Sequence, residues 1–293
     1  METSVAGLAA VLGCSVAFAL LDLSRKALAA RIRPVPLLVL LTVGQLPLFA
    51  GWLAASEAAG AGRGYLAPGL GSVLLNIAAN LAFLEAVRLS PLSLTIPFLS
   101  LTPVFASLLA VPLLGEVPSG LQVAGILTVV AGAVTLNLER GKRASLPGMW
   151  RAFRRERGSV LMVGVAFLWA LAMPLDKLAM EAASAPFHGL VLNAGVGVGC
   201  LLVLAGQRRW RELATTGRAL WLVVGAVLAS AVALALQLIA LTLVWVGLVE
   251  TLKRATGCLL AVVLGRAAFG EPVTAAKLAA ITLMVLGVAA VMW

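Results

Sequence analysis

The residues best placed to do chemistry are charged or amide side chains lying inside long apolar runs. Glu250, Lys253 and Arg254 fall several residues into such a run, covering 247–269. The acid precedes the two bases by three and four positions, which places all three on one helical face and allows pairing. A charge held within a membrane-crossing segment costs at least ~2.5–3.5 kcal/mol near its centre, so its retention points to a substrate path or an ion relay. Lys253 and Arg254 are therefore expected to meet a polar or anionic solute. Snorkelling to the interface, with Glu250 as a local partner, is the alternative. Asn76 and Asn80, four apart, share one face and could bind a polar substrate or a neighbouring helix, as could Gln237 and Asn193. The acids Glu85, Glu250, Asp22 and Asp176 are candidates for coupling, because a carboxyl group in a dry cavity can load a proton reversibly. Pro97 and Pro103 fall within the run 92–114 and are expected to kink it as a hinge.

Other chemistries are absent. His188 is the only histidine and stands at the start of a run, where packing or an interfacial position is expected. Cys14, Cys200 and Cys258 are far apart in apolar surroundings, as small buried hydrophobes would be. With no metal-ligand spacing, no paired catalytic set and no phosphate-binding loop, neither an enzyme nor an ATP-driven pump is expected, and no cofactor or metal.

These residues must be positioned by helices. Of the 293 residues, 62% are hydrophobic and 12% charged, with a mean hydropathy of +1.07. Soluble domains are about half apolar and about a quarter charged. Ten runs approach the ~20 residues that cross hydrocarbon as a helix. They cover 4–23, 36–55, 67–87, 92–114, 119–138, 158–180, 187–205, 218–243, 247–269 and 274–293. The expectation is an all-α integral membrane protein of ten transmembrane helices. The first run lacks the basic start of a signal peptide and suits an uncleaved span.

The longest polar segment, 139–157, divides the chain, and the two parts match. Leu114-Gly115-Glu116 corresponds to Phe269-Gly270-Glu271, each ending one run and opening the last of its half. Lys26 and Lys177 occupy equivalent places, followed by Pro34 and Pro186. The parts are thus read as a first repeat at 1–138 and a second at 158–293. Five spans is an odd number, so the second repeat is inverted, an arrangement that places transporter sites at the midplane between halves.

Ser90-Pro91-Leu92-Ser93, Pro97, Pro103 and Leu114-Gly115-Glu116 within Ala86–Asn137, with the stretch from Phe18 to Lys26, resemble the EamA-like, two-repeat branch of the drug/metabolite transporter superfamily. The resemblance implies a central cavity lined mostly by spans 1, 3, 4, 6, 8 and 9 and transport of small metabolites. It also marks Lys26 and Lys177 as substrate-binding candidates, with interfacial anchoring as the other reading. Glu116 and Glu271 are read as structural, each complementing the dipole of the helix that follows it. Gly125, Gly132, Gly195, Gly197 and Gly199 are read as close-packing positions.

Alternating the spans places 18 of the 22 basic residues on one side. That side should be cytoplasmic, which puts both termini outside the cytoplasm and the chain in the inner membrane. The net charge of +10 is then topological and implies no nucleic acid. The segment 140–157 carries Trp150 and Phe153 among arginines, and is either an amphipathic helix on the anionic leaflet or a solvated linker. Expected partners are a small-molecule or lipid substrate and membrane lipids, with a homodimer left open. Function divides between a secondary transporter for a small polar or anionic metabolite and a flippase for a lipid phosphate or other amphiphile. A non-transporting receptor or scaffold is the remaining class.

Overall fold

A computed structural model describes residues 4–29, 31–56, 60–89, 96–140, 157–208, 213, 217–269 and 273–293. Its helices are α1 (Val5–Ala29), α2 (Pro34–Ala55), α3 (Leu66–Leu89), α4 (Thr102–Leu114), α5 (Gly120–Arg140), α6 (Arg157–Glu181), α7 (Ala185–Gly206), α8 (Gly217–Leu243), α9 (Val246–Phe269) and α10 (Ala275–Met292). A 3-10 turn, Ile96–Leu101, precedes α4. Among the described residues there is no strand. Seven of the helices are long and apolar enough to cross a bilayer. α4 and α5 carry shorter apolar stretches, and α9 holds Glu250, Lys253, Arg254 and Arg266 within its 24 residues. The segment 141–156, which includes Trp150 and Phe153, lies outside the described residues.

Packing between the halves has a two-fold pattern. α1 packs against α8 and α9, while α6 packs against α3 and α4. α2 meets α7, α4 meets α9, and α5 meets α10. Exchanging each helix for the one five places along maps this set onto itself, as two related repeats require. The buried core at the α4–α9 crossing joins Ala106 and Ala110 to Val246, Leu248, Val249 and Leu252, with Ala10 and Val11 of α1 and Ala170 and Met173 of α6. Apolar side chains also line outer faces. Leu12, Val16 and Leu20 form an exposed stripe at four-residue spacing on α1, as a lipid-facing surface requires.

One expectation about the elements is corrected. The run 92–114 was expected to be a single helix hinged at Pro97 and Pro103. Instead the α-helix begins at Thr102, with Pro103 in its first turn. Pro97 falls in the 3-10 turn. Proline lacks an N–H, and the first turn of a helix is the place that leaves this uncompensated group harmless. Pro103 therefore starts α4 rather than bending it, and the fourth span is broken near its middle.

Candidate functional site

The charged cluster of α9 lies in the seam between the halves. Lys253 is seven residues from the start of α9, about 10 Å along its axis. Its ammonium pairs with the carboxylate of Glu250, which is 2% exposed. It also donates to Gln237 Oε1 of α8 at 2.9 Å and stands 5.2 Å over the ring of Phe18 of α1. Gln237 therefore joins the site, as the sequence suggested, through the lysine.

Arg254 is held differently. Its Nη2 donates to the backbone oxygen of Leu99 at 2.7 Å and lies 3.5 Å from Thr102 Oγ1. The availability of Leu99 O follows from Pro103, which has no N–H to return to the residue four before it. The hydroxyl of Thr102 donates to the same oxygen at 2.7 Å. The guanidinium of one half is thus seated on the broken span of the other. No carboxylate of the described residues lies within ion-pair distance of Arg254, and its Nε is buried without a hydrogen-bond partner. Glu250 and Lys253 offset each other, and no ion pair among the described residues matches the charge of Arg254.

A second set of polar residues lies near the α2–α3 and α6–α7 connections. Asp176 and Lys177 are consecutive on α6, so their side chains leave the helix about 100° apart. Lys177 Nζ donates to Glu116 Oε1 at 2.6 Å and to Val244 O at 3.0 Å. Glu116 is 6% exposed, and its other oxygen accepts from the N–H of Val246 at 2.7 Å. The expectation that Glu116 serves the helix it precedes is corrected here. It caps α9, the start of a helix in the other half, where the orphan N–H and the positive end of the dipole attract it. Lys177 thus has two protein partners in this structure.

Asp176 turns toward α3 and α7. Its Oδ1 accepts from the hydroxyl of Ser72 and lies 3.0 Å from His188 Nε2. His188 Nδ1 is 3.0 Å from the hydroxyl of Tyr65, and Asn76 Nδ2 reaches Ser72 Oγ at 3.2 Å. Ser72 and His188 are fully buried, and Asp176 nearly so. Burial, and next the charge of Asp176, push the Tyr65 phenol up to about 12, so it remains a hydrogen-bond donor.

The remaining candidates are dispersed. Asn80 Nδ2 returns to Asn76 O of its own helix at 2.8 Å. Asn193 does the same to Gly189 O at 2.9 Å. Asp22 is 70% exposed and 3.5 Å from Arg25 on the same helix. Glu85 is half-buried on the last turns of α3. The side chains of Lys26 and Pro97, and residue Glu271 altogether, lie outside the description.

Sequence reasoning passed over Tyr65, Ser72, Thr102 and Phe18, and treated His188 as packing. The available signal was rarity. The chain has one tyrosine and one histidine, and they touch each other and Asp176. Gln45 of α2 was also missed. Its amide reaches Ser230 of α8 at 3.1 Å.

Comparison with known proteins bears on the whole chain. The sequence model of the EamA-like transporter family matches residues 5–138 and again 156–293. No curated protein matches. A solved structure titled only "Crystal structure of protein" superposes with a TM-score of 0.76 at 20% identity, covering 98% of this chain and 95% of that one. At that identity the likeness extends to the fold alone.

Proposed function

Because the chain belongs to the EamA-like transporter family, within the drug/metabolite transporter superfamily, we propose that it is a secondary transporter moving a small polar or anionic metabolite by alternating access. Family membership and the apolar helices indicate a multi-pass membrane protein. The observation supporting an anionic cargo is Arg254, half-buried at the seam with no carboxylate partner among the described residues and a buried Nε that no protein group satisfies. A half-buried guanidinium held in place presents a fixed fork to carboxylate or phosphate oxygens. Lys253 supplies a second cation that a substrate could draw from Glu250, with Gln237 and Phe18 beside it. The broken fourth span supports the same reading, since carriers of this kind build midplane sites from discontinuous helices.

The test uses purified protein in liposomes, offered a panel of labelled small anions and, separately, labelled lipid phosphates. Arg254→Gln should lower transport of the accepted anion by about tenfold or more, the worth of one charged hydrogen bond. A triple variant, Glu250→Gln with Lys253→Gln and Arg254→Gln, should abolish it without leaving a lone buried carboxylate. Undiminished transport in both variants would refute the reading, and movement of lipid phosphate alone would replace it with the flippase.

The topology belongs to the same proposal. The second repeat is inverted, the side bearing 18 of the 22 basic residues faces the cytoplasm, and both termini lie outside. An alkaline phosphatase fused after Trp293 should be active in cells, and a fluorescent protein fused there should be dark. The opposite pair of results would reverse the assignment.

A further inference from the structure

The site on α9 leaves unused the buried group made by Asp176, His188, Tyr65 and Ser72. It joins the halves, because Tyr65 and Ser72 come from the first and Asp176 and His188 from the second. With His188 neutral, its hydrogen bonds admit one arrangement of protons. The Asp176 carboxylate already accepts from Ser72, so His188 presents Nε2–H to it. Nδ1 is then bare and accepts from the Tyr65 hydroxyl. In this arrangement every bond is made, but the group carries one negative charge with His188 0% and Asp176 2% exposed. A buried carboxylate with no cation beside it is costly, and one added proton removes the net charge.

The neighbouring helices offer no other neutralising group. Lys177 is committed to Glu116 on another face of α6. The described parts of α2, α4, the 3-10 turn and α8 that pack on α6 or α7 contain no charged side chain within their apolar lengths. Glu85 and Arg88 lie at the far end of α3, about 20 Å along the helix from Ser72. Arg33 and Arg218 stand at the far ends of α2 and α8. Arg63 and Glu181 line an open hollow of ≈ 620 Å³ whose other lining residues include Gly64 and Leu175, the chain neighbours of Tyr65 and Asp176. None of Tyr65, Ser72, Asp176 and His188 lines it.

We propose that Asp176 and His188 form a proton-binding site between the two halves, whose occupancy reverses the hydrogen bond between His188 and Tyr65. The chemistry supplies the link. A proton on His188 turns Nδ1 from acceptor to donor, so the Tyr65 hydroxyl must turn over and accept from it. Tyr65 ends the loop whose Gly62 N–H donates to Ala182 O of the other half at 2.7 Å. Gly64, with φ +104°, holds the turn between them. The proton is thus bound where the halves meet, apart from Lys253 and Arg254. This goes beyond the transport reading, and its test involves no substrate.

The chain suits a direct measurement, since it has one histidine and only two aspartates, Asp22 and Asp176. The full chain, labelled with 15N-histidine and 13C-aspartate, is titrated in lipid nanodiscs from about pH 9 to about pH 5, the range in which histidine ordinarily titrates. The His188 nitrogens should pass from the neutral Nε2–H pattern to a protonated one, and the Asp176 carboxyl resonance should move at the same midpoint. In His188→Gln the Asp176 carboxyl resonance should no longer move in this range. Two results would overturn the proposal: resonances that stay constant while the protein remains folded, or a histidine titration to which Asp176 does not respond. The wild-type titration decides the point even if the variant does not fold.

Discussion

Replacing Lys177 by methionine should cost about 3–5 kcal/mol of stability, the usual penalty for removing one partner of a buried ion pair. The cause is what remains. Glu116 is 6% exposed and would keep only the Val246 N–H as a donor. Its charge would sit uncompensated at the junction of α4, α6 and α9. Thermal denaturation in detergent should show a melting temperature lower by roughly 10 °C or more, on the scale that relates such energies to melting. Glu116→Gln should be milder, because a neutral amide keeps an acceptor for one of the two donors and strands no anion. Combining it with Lys177→Met should recover much of the loss. Lys177→Met melting within a degree or two of the parent would show that the pair contributes nothing.

A valine at Gly125 should be as damaging, through sterics alone. A Cβ there would lie 2.6 Å from the backbone oxygen of Gly287 and 2.9 Å from the backbone nitrogen of Val291. The reciprocal Cβ at Gly287 would lie 2.7 Å from Gly125 O. The obstruction is backbone on both sides, so no rotamer change relieves it and α5 must move away from α10. Overpacking usually costs about 1–3 kcal/mol, and a backbone clash belongs at or above the top of that range. Gly125→Val should therefore yield aggregated protein on size-exclusion chromatography. Gly225→Ala, where an added Cβ meets nothing within 4 Å, should be neutral or slightly stabilising. Monodisperse Gly125→Val of parental melting temperature would contradict the close crossing.

Much of the architecture was legible from the chain itself. Apolar runs of spanning length mark helices because lipid leaves backbone groups no other partner. The matching Gly-Glu boundaries and the lysines at 26 and 177 exposed the repeat. The Glu250, Lys253 and Arg254 cluster stood out because charge within apolar sequence is costly wherever it lies. Glycines 125 and 132 were readable as contacts, since only close helix approach gives a bare backbone an advantage.

The tertiary structure decided which group meets which. Periodicity reports the face of one helix and is silent about what stands opposite. Glu116 had a helix directly after it, yet it caps α9, 130 residues away. Arg254 was expected near Glu250, yet its bond runs 155 residues back to a carbonyl that Pro103 leaves free. That proline was expected to bend a helix and instead begins one. His188 was unremarkable until folding placed it between Tyr65, 123 residues away, and Asp176. By itself the sequence determined the helices, the two halves and the charges kept within them. The packing of one half on the other decided the partners of Arg254, Lys177, Ser72 and Tyr65, because those bonds cross the seam, and local spacing carries no information across it.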